Sequence, residues 1–558
     1  MKPWFERDPD RYETEREFWA GQGFSEERDG DDIVFRGAVD VTVAEGPGEP
    51  YEQHDFELTV RYLEGFPFVA PEVAFLDPPV RRHRHQSSRG KPCLFPDEAW
   101  HQDQKAGEFL KALRTWLSAY IVGRFPRELA IYELPEYLVD SGLTVLGPPG
   151  MDDAAEGATS GSFRVTELLG LDLAVVTELQ GVDVGTDVLD GLRMRRAFKQ
   201  QERVGTWYRL DAEPPPPQLL TELQDILKKS GHTNPVFPPR ERPRLTALRF
   251  EDEVLGQPRW LFLDTGIENA KRPPRPHERE VLGATFYPVT REELFRRLQG
   301  VTDTDTLSDR IVTVFGLGAV GSSAALALAR EAVGEFKLCD PDTLRPGNVI
   351  RHVLDLSDVG QPKATAVEAA IHRINPFVET STKLTGLRKP EVMEEILNDA
   401  HLVISAIGDN TIEEQLNQVV VESMSQPPVL FARTLHAGDA IRVILFRPGR
   451  DACFTCLMLH KEDGHPDWVT VPASNLPGVH DDGCATAAAV GAGLASEHAG
   501  LLLARRATAV LTGRDGEANH WLWLERPVDG VEAQRMPDPG VLRADRFEPH
   551  PECPVCRG

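Results

Sequence analysis

RIVTVFGLGAVGSSAALALAREAVGEFKLCDPDTLRPGNVIR, residues Arg310 to Arg351, decides how this chain is read. A β-branched run from Ile311 to Phe315 enters a turn built on Gly316, Gly318 and Gly321, and an alanine-rich helix leaves it. Strand, glycine turn and helix form the context in which GxGxxG carries meaning, because backbone N–H groups there can approach a phosphate. A second strand, Glu335 to Cys339, ends in Asp340, 19 residues beyond Gly321. A carboxylate so placed can accept hydrogen bonds from ribose hydroxyls.

Asn348, Arg351 and, in the run VGQPK, Lys363 then set two cations and an amide just past that acid. A nicotinamide cofactor, with one pyrophosphate, gains little from such an array. A triphosphate attacked at its α-phosphorus needs it, since charge develops on the leaving pyrophosphate. The run LVISAIGDN, Leu402 to Asn410, reads as an apolar strand ending in Asp409, whose carboxylate suits a magnesium ion arriving with ATP. The order GxGxxG, DxD, NxxR, GQPK and a strand ending in DN resembles the adenylation domain of the ThiF/MoeB and ubiquitin-activating superfamily. The resemblance covers roughly Leu307 to Gly558. It implies that Asp340 and Asp342 contact the ribose and adenine side, Asn348, Arg351 and Lys363 the phosphates, and Asp409 the magnesium. The arginine that the family often supplies from a second subunit has Arg296 and Arg297 as its candidates.

The 558 residues predict roughly three or four domains. A net charge of -27 argues against nucleic acid or an anionic membrane as partner. The sequence has no apolar run of about 18 residues, and MKPWFERDPDRYETERE lacks a signal-peptide core, so a cytosolic protein is expected. Its seven cysteines then read as metal ligands or nucleophiles rather than disulfides.

The N-terminal part reads as a helix around Arg11 to Gly21, strands at Ile33 to Val43, Phe56 to Leu63 and Glu72 to Leu76, and a helix whose buried face carries Phe109, Leu113, Trp116 and Leu117. Between them lies the polar loop RRHRHQSSRGKPCLFPDEAWHQ. This unit resembles the ubiquitin-conjugating fold: FPFVAP, Phe66 to Pro71, matches its YPFxPP run, and Cys93 stands where that family keeps its active cysteine. The family's His-Pro-Asn run falls on His83, Arg84 and His85. The asparagine is absent, so either His85 donates to the oxyanion or the site works differently. Lys91 is placed to favour a Cys93 thiolate.

Two CxxC pairs, Cys453 with Cys456 and Cys553 with Cys556, have zinc spacing and together supply four thiolates. A redox dithiol is the competing reading, without thioredoxin-like context. Cys484, in NLPGVHDDGCATAAAVGAG, precedes a helix whose dipole favours a thiolate, with Asp481 and Asp482 opposing it. By resemblance to activating enzymes, whose acceptor cysteine lies on a crossover loop, Cys484 is the acyl acceptor. Cys339 reads as core, and His352, His372 and His401 as structural.

The expected fold is α/β: a ubiquitin-conjugating-like α+β domain (1–146), a linker (147–162), a mixed connecting domain (163–300) and a Rossmann-like adenylation domain with a zinc site (301–558). The pairing resembles bacterial fusions of CBASS anti-phage systems. It implies ATP- and magnesium-dependent activation of a partner's C-terminal carboxylate, a thioester on Cys484, transfer to Cys93 and conjugation to a lysine. The implied partner is the C-terminus of a cGAS-like nucleotidyltransferase, or a ubiquitin-like protein, with a homodimer through the adenylation domain. The alternatives are a sulfur-carrier adenylyltransferase with an idle N-terminal domain, a nicotinamide oxidoreductase and a non-catalytic scaffold.

Overall fold

The computed structural model describes residues 2–44, 50–78, 86, 91–92, 94–95, 100–122, 138–185, 188–189, 199–233, 245–251, 258–265, 280–385, 388–476, 493–528 and 537–556. The chain divides into two compact units, Met1–Thr186 with Ala197–Val289, and Asp187–Arg196 with Thr290–Gly558.

The first unit opens with an antiparallel meander of β1 (Ser25–Asp29), β2 (Asp32–Val43), β3 (Glu52–Tyr62) and β4 (Glu72–Asp77) in chain order. Period-two burial runs along β3, where Phe56, Leu58, Val60 and Tyr62 point inward. Helices α1 (Pro9–Gly21) and α2 (Ala106–Val122) pack on that face through Trp19, Phe109, Leu113, Trp116 and Leu117. A buried carboxylate joins the three layers. Glu15 accepts from Arg11 Nε at 2.6 Å, from the Tyr62 hydroxyl at 2.9 Å and from the Ala106 N–H at 2.9 Å, and Trp19 Nε1 donates to the Tyr62 oxygen at 2.8 Å. The Ala106 bond sets a negative charge against the N-terminus of α2, where the helix dipole favours it.

The rest of the unit is a second sheet: β5 (Val139–Gly147), β6 (Ser160–Leu168), β7 (Leu173–Leu179), β8 (Val182–Asp183), β9 (Gln200–Arg209), β10 (Leu245–Glu251), β11 (Pro258–Asp264) and β12 (Leu282–Pro288). Its order is β5-β12-β11-β10-β9-β6-β7-β8, and β5 also pairs with β7, so the sheet closes on itself. One face holds Phe163, Val165, Trp207, Ala247 and Phe262; the other packs Tyr208, Leu248, Phe250 and Leu261 on α3 (Leu220–Lys229).

This corrects the expected linker at 147–162. Pro148, Pro149 and Gly150, at φ 85°, make a turn inside the domain. Met151 and Ala155 are buried in its core, and Ser160 begins β6. The small-residue composition marked a turn between two strands of one sheet, and that sheet begins at Val139.

The second unit carries β13 (Ile311–Phe315), β14 (Glu335–Cys339), β15 (Glu379–Lys383), β16 (Leu402–Ser405), β17 (Val429–Leu435), β18 (Ala440–Phe446), β19 (His520–Leu524) and β20 (Leu542–Asp545). The order is β15-β14-β13-β16-β17-β18-β19-β20, parallel through β17 and antiparallel beyond. Alternate residues of each strand face opposite layers. Val312, Val314, Leu402, Ile404, Leu430 and Ala432 pack against α4 (Ala319–Arg330), α5 (Lys363–Ile374) and α9 (Gly493–Leu511). Phe315, Val403, Val429 and Phe431 pack against α6 (Pro390–Leu397), α7 (Asn410–Glu422) and α8 (Phe454–Glu462). This is a doubly wound Rossmann-like domain. The strand order switches at β13, between β14 and β16, where such sheets open a crevice at their carboxyl ends. No helix among the described residues is long and apolar enough to cross a membrane.

Removing one partner from a buried charged network leaves the others unpaired. Glu15→Ala is expected to cost the N-terminal domain about 3 kcal/mol, read by urea unfolding followed through tryptophan fluorescence.

Candidate functional site

The crevice at the switch point is built by the glycine turn. Gly316 has φ 83°, and a Cβ there would stand 2.9 Å from the Ala406 carbonyl; a Cβ on Gly321 would stand 1.9 Å from the Gly316 oxygen. Both glycines are demanded by backbone approach. Gly318 differs, because a Cβ there would meet nothing within 4 Å. It precedes α4, whose first turn has no side-chain cap. That combination leaves room and oriented N–H groups for an anion.

The peptide between is held from three sides. The Gly316 N–H donates to the Cys339 carbonyl at 2.9 Å and the Leu317 N–H to Asp340 Oδ2 at 2.6 Å. His352 donates from Nε2 to the Leu317 carbonyl at 2.7 Å while its Nδ1 accepts the Leu354 N–H at 3.2 Å, which fixes the neutral tautomer. Burial lowers the His352 pKa in the same sense. The other oxygen of Asp340 accepts the Asp342 N–H at 2.8 Å. Burial pushes the Asp340 carboxyl above its ordinary value, against the pull of Lys363 and of the two N–H donors. Asp340 therefore acts first as a clamp between the turn and β14, and Asp342 is the acid that faces solvent.

Asp342 is 67% exposed and accepts from Lys363 Nζ at 2.8 Å, while Lys363 is nearly buried at the first position of α5. Asn348 Oδ1 accepts the Arg345 N–H at 3.1 Å, and half-buried Arg351 follows three residues later. Apolar β16 stops at Ser405, and exposed Asp409 caps α7 instead of ending the strand, its Oδ1 accepting from Thr411 and Ile412 at 2.9 and 3.3 Å. The fold thus brings Gly316, Gly318, Gly321, Asp340, Asp342, Asn348, Arg351, Lys363 and Asp409 into the segments at the carboxyl ends of β13, β14 and β16. A triphosphate with a hard cation fits this set: an open helix N-terminus, a lysine and an exposed carboxylate. Arg296 instead sits in a surface ion pair with Glu293. Cys339 is core, its thiol pushed up to about 12 by burial.

Sequence reading missed three charges on this edge. Buried Glu413 reaches Ser405 Oγ at 3.3 Å and the Gly408 N–H at 3.4 Å, and pairs with Arg433 of β17. Arg433 also donates to Asn410 Oδ1 at 2.7 Å. Directly opposite Arg433 on β18 is Arg442, buried and brought down to about 9 by burial and by the charge of Arg433. The available signal was a lone arginine in each of the apolar runs VLFARTL and AIRVILF.

The cysteines of the CxxC pairs converge. Their sulfurs all lie within 4.8 Å of one another, with Cys453 3.6 Å from Cys456 and from Cys553, and Cys456 3.3 Å from Cys556. A tetrahedral zinc with bonds of about 2.3 Å sets sulfurs about 3.8 Å apart, so the donors fit it. Asn417 Nδ2 lies 3.6 Å from Cys453 Sγ, where it would donate to that sulfur as a thiolate if a zinc ion were bound. Cys93, Cys484, His83 and His85 lie outside the described residues. Lys91, beside Cys93 in sequence, forms an ion pair with Glu72.

Two substitutions separate binding from folding. Gly316→Ala is expected to lose about 2 kcal/mol or more through its strained φ. Gly318→Ala should stay within about 1 kcal/mol of wild type yet bind ATP more weakly, as calorimetry and thermal unfolding would show.

The ThiF family model matches residues 290–524. The uncharacterized protein y4oA of Sinorhizobium fredii is 24% identical over 72% of this chain and 74% of its own length. Molybdopterin-synthase adenylyltransferase of Salmonella typhimurium is 29% identical over 27% of this chain, which spans 60% of that protein. The ATP-dependent ubiquitin transferase-like protein Cap2 of Pseudomonas aeruginosa is 27% identical over 33% of each chain. Residues 290–524, which hold β13 to β19, are thus ThiF-like, and part of the chain is similar to a molybdopterin-synthase adenylyltransferase.

Proposed function

We propose that this protein activates the C-terminal carboxylate of a partner protein and conjugates it to a target amine. The observation that carries the reading is the open space over Gly318, with Lys363, Asp342 and Asp409 on the same edge. A carboxylate oxygen of the partner attacks the α-phosphorus of ATP and pyrophosphate leaves. Lys363 and Arg351 offset the charge gathering on that leaving group. Magnesium would be held by Asp409 and supplies charge neutralisation at the phosphates. The Cys484 thiolate then attacks the acyl carbon and releases AMP. Cys93 takes the acyl group by thioester exchange, with His83 and His85 ten and eight residues before it in sequence, and a lysine amine attacks to leave an isopeptide. Two easier acyl transfers replace one hard acylation.

The ubiquitin-conjugating resemblance of the N-terminal domain and the Cap2 relative support a bacterial, cytoplasmic, CBASS-type anti-phage role. The partner in that role is the C-terminus of a cGAS-like nucleotidyltransferase, or a ubiquitin-like protein. Self-association as a homodimer through the adenylation domain belongs to the same reading, as does a zinc ion in the four-cysteine cluster. The molybdopterin-synthase adenylyltransferase relative favours a second reading, a sulfur-carrier adenylyltransferase in which Cys93 is idle.

Host lysate with ATP and magnesium decides between them on non-reducing gels with mass spectrometry. Adducts cleaved by dithiothreitol should vanish in Cys484→Ala, while Cys93→Ala should keep the first thioester and lose onward transfer. Adducts and products unaffected by Cys93→Ala would leave the adenylyltransferase reading. For the cluster, purified protein should hold about one zinc per chain by mass spectrometry, lost in Cys553→Ser, with a lower unfolding temperature. Redox-active cysteines without metal would instead yield a disulfide between paired sulfurs.

A further inference from the structure

The loop that carries Asp409 leaves β16 at Ser405 and enters α7 at Asn410, and a buried charge pair fastens it at three points. Glu413, in the first turn of α7 and fully buried, accepts from Ser405 Oγ at 3.3 Å and from the Gly408 N–H at 3.4 Å. Arg433 of β17 pairs with Glu413 through one terminal nitrogen and donates through the other to Asn410 Oδ1 at 2.7 Å. Its guanidinium carbon lies 5.6 Å from the centre of the Phe454 ring of α8, which covers the fork from the side.

Between those points the loop touches the nucleotide turn. The Ala406 N–H donates to the Phe315 carbonyl at 2.9 Å, and the Ala406 carbonyl is the group that leaves no room for a Cβ on Gly316. Gly408 then takes a left-handed φ of 74°. Asp409 follows, exposed, with Oδ1 committed to capping α7. Among the described residues its Oδ2 makes no hydrogen bond, which leaves that oxygen for a cation.

The helix does not need a buried ion pair to stay folded. Asp409 already caps α7, and Leu416, Val419 and Val420 bury its inner face. Desolvation offsets much of the attraction within such a pair, and an apolar pair of similar volume is often neutral or stabilising. What an apolar pair lacks is direction. Glu413 and Arg433 hold Gly408 and Asn410, the two residues that flank Asp409, to the ends of β16 and β17.

We propose that Arg433, acting through Glu413 and Asn410, is a positioning residue for the Asp409 carboxylate, and through it for the magnesium ion of the ATP complex. The inference rests on the reading of Asp409 as the magnesium acid. Partners that orient a metal-holding side chain typically account for about tenfold or more in metal affinity.

The test uses the full-length chain as wild type, Asp409→Asn, Asn410→Ala, Arg433→Lys and the double variant Glu413→Leu with Arg433→Met. Calorimetry measures ATP affinity in magnesium and in EDTA, and the ratio of the two is the magnesium gain. That gain should fall about tenfold or more in the double variant and less in Asn410→Ala, while affinity in EDTA stays within about twofold of wild type. Arg433→Lys, which keeps the charge and loses the planar fork, should be intermediate. Without ATP or metal, hydrogen exchange of the amides in 406–410 should quicken about tenfold or more in the double variant, with the unfolding temperature unchanged or raised. An unchanged magnesium gain in the double variant overturns the positioning role, as does unchanged exchange in 406–410. Asn410 is exposed, so Asn410→Ala keeps its fold, and a wild-type gain there overturns the role even where the double variant does not fold. A lower unfolding temperature in the double variant overturns the claim that the pair is not kept for stability. A magnesium gain that survives Asp409→Asn removes the magnesium reading of Asp409, and this inference with it.

Discussion

The carboxylate of Asp340 is the constraint on which the nucleotide edge depends. A glycine turn is free to take many shapes, and a binding turn needs one. Asp340 removes that freedom by accepting the N–H of Leu317 and of Asp342 at once, tying the end of β13 to the loop after β14. The Cys339 carbonyl and the His352 ring complete the hold on the Gly316 to Leu317 peptide. Asp340 and Cys339 are buried and each of these groups is satisfied, so the turn is held before a ligand arrives. What remains open is the space over Gly318 and the N-terminus of α4, where preorganised donors act without a reorganisation cost.

That logic separates what the sequence discloses from what it hides. The glycine spacing, the alternating strands and the helix face from Phe109 to Leu117 are local patterns, and each is found where its period places it. The two acids of DPD are equally visible, yet their division of labour is not. Which one turns inward depends on the neighbouring strand, and a ribose-contacting role for Asp340 competes with two backbone bonds already made. The linker failed for the same reason. Pro148, Pro149 and Gly150 mark a turn without saying whether it joins two domains or two strands, and only closure of the sheet through β5 and β7 decides.

Buried charges were the least legible feature because their meaning is tertiary. Glu15 and Glu413 sit in ordinary helical contexts, and nothing local distinguishes them from solvated acids. In the fold each is fully enclosed, Glu15 linking α1, β3 and α2, and Glu413 linking β16, the Gly408 turn and Arg433. On a chain with net charge -27, the second unit sets two arginines, Arg433 and Arg442, directly opposite each other on neighbouring strands. Arg433 is paired with Glu413 and hydrogen-bonded to Asn410, whereas Arg442, among the described residues, meets a carbonyl and an indole face.

The asymmetry between those two arginines acquires a direction when α8 is followed from end to end. Its first residues belong to the four-cysteine cluster, where Cys453 and Cys456 meet the C-terminal Cys553 and Cys556. Beyond its last residues the chain is held by Arg442, Arg543 and His436, which donate to the carbonyls of Val469, Asp467 and Pro472. A short helix with a cysteine cluster at one end and a clamped segment at the other has little freedom to shift along the sheet. The helix is therefore held by two anchors of different chemistry, one made of sulfur and one of charge. A fold that stabilised only its core would need neither anchor at that place.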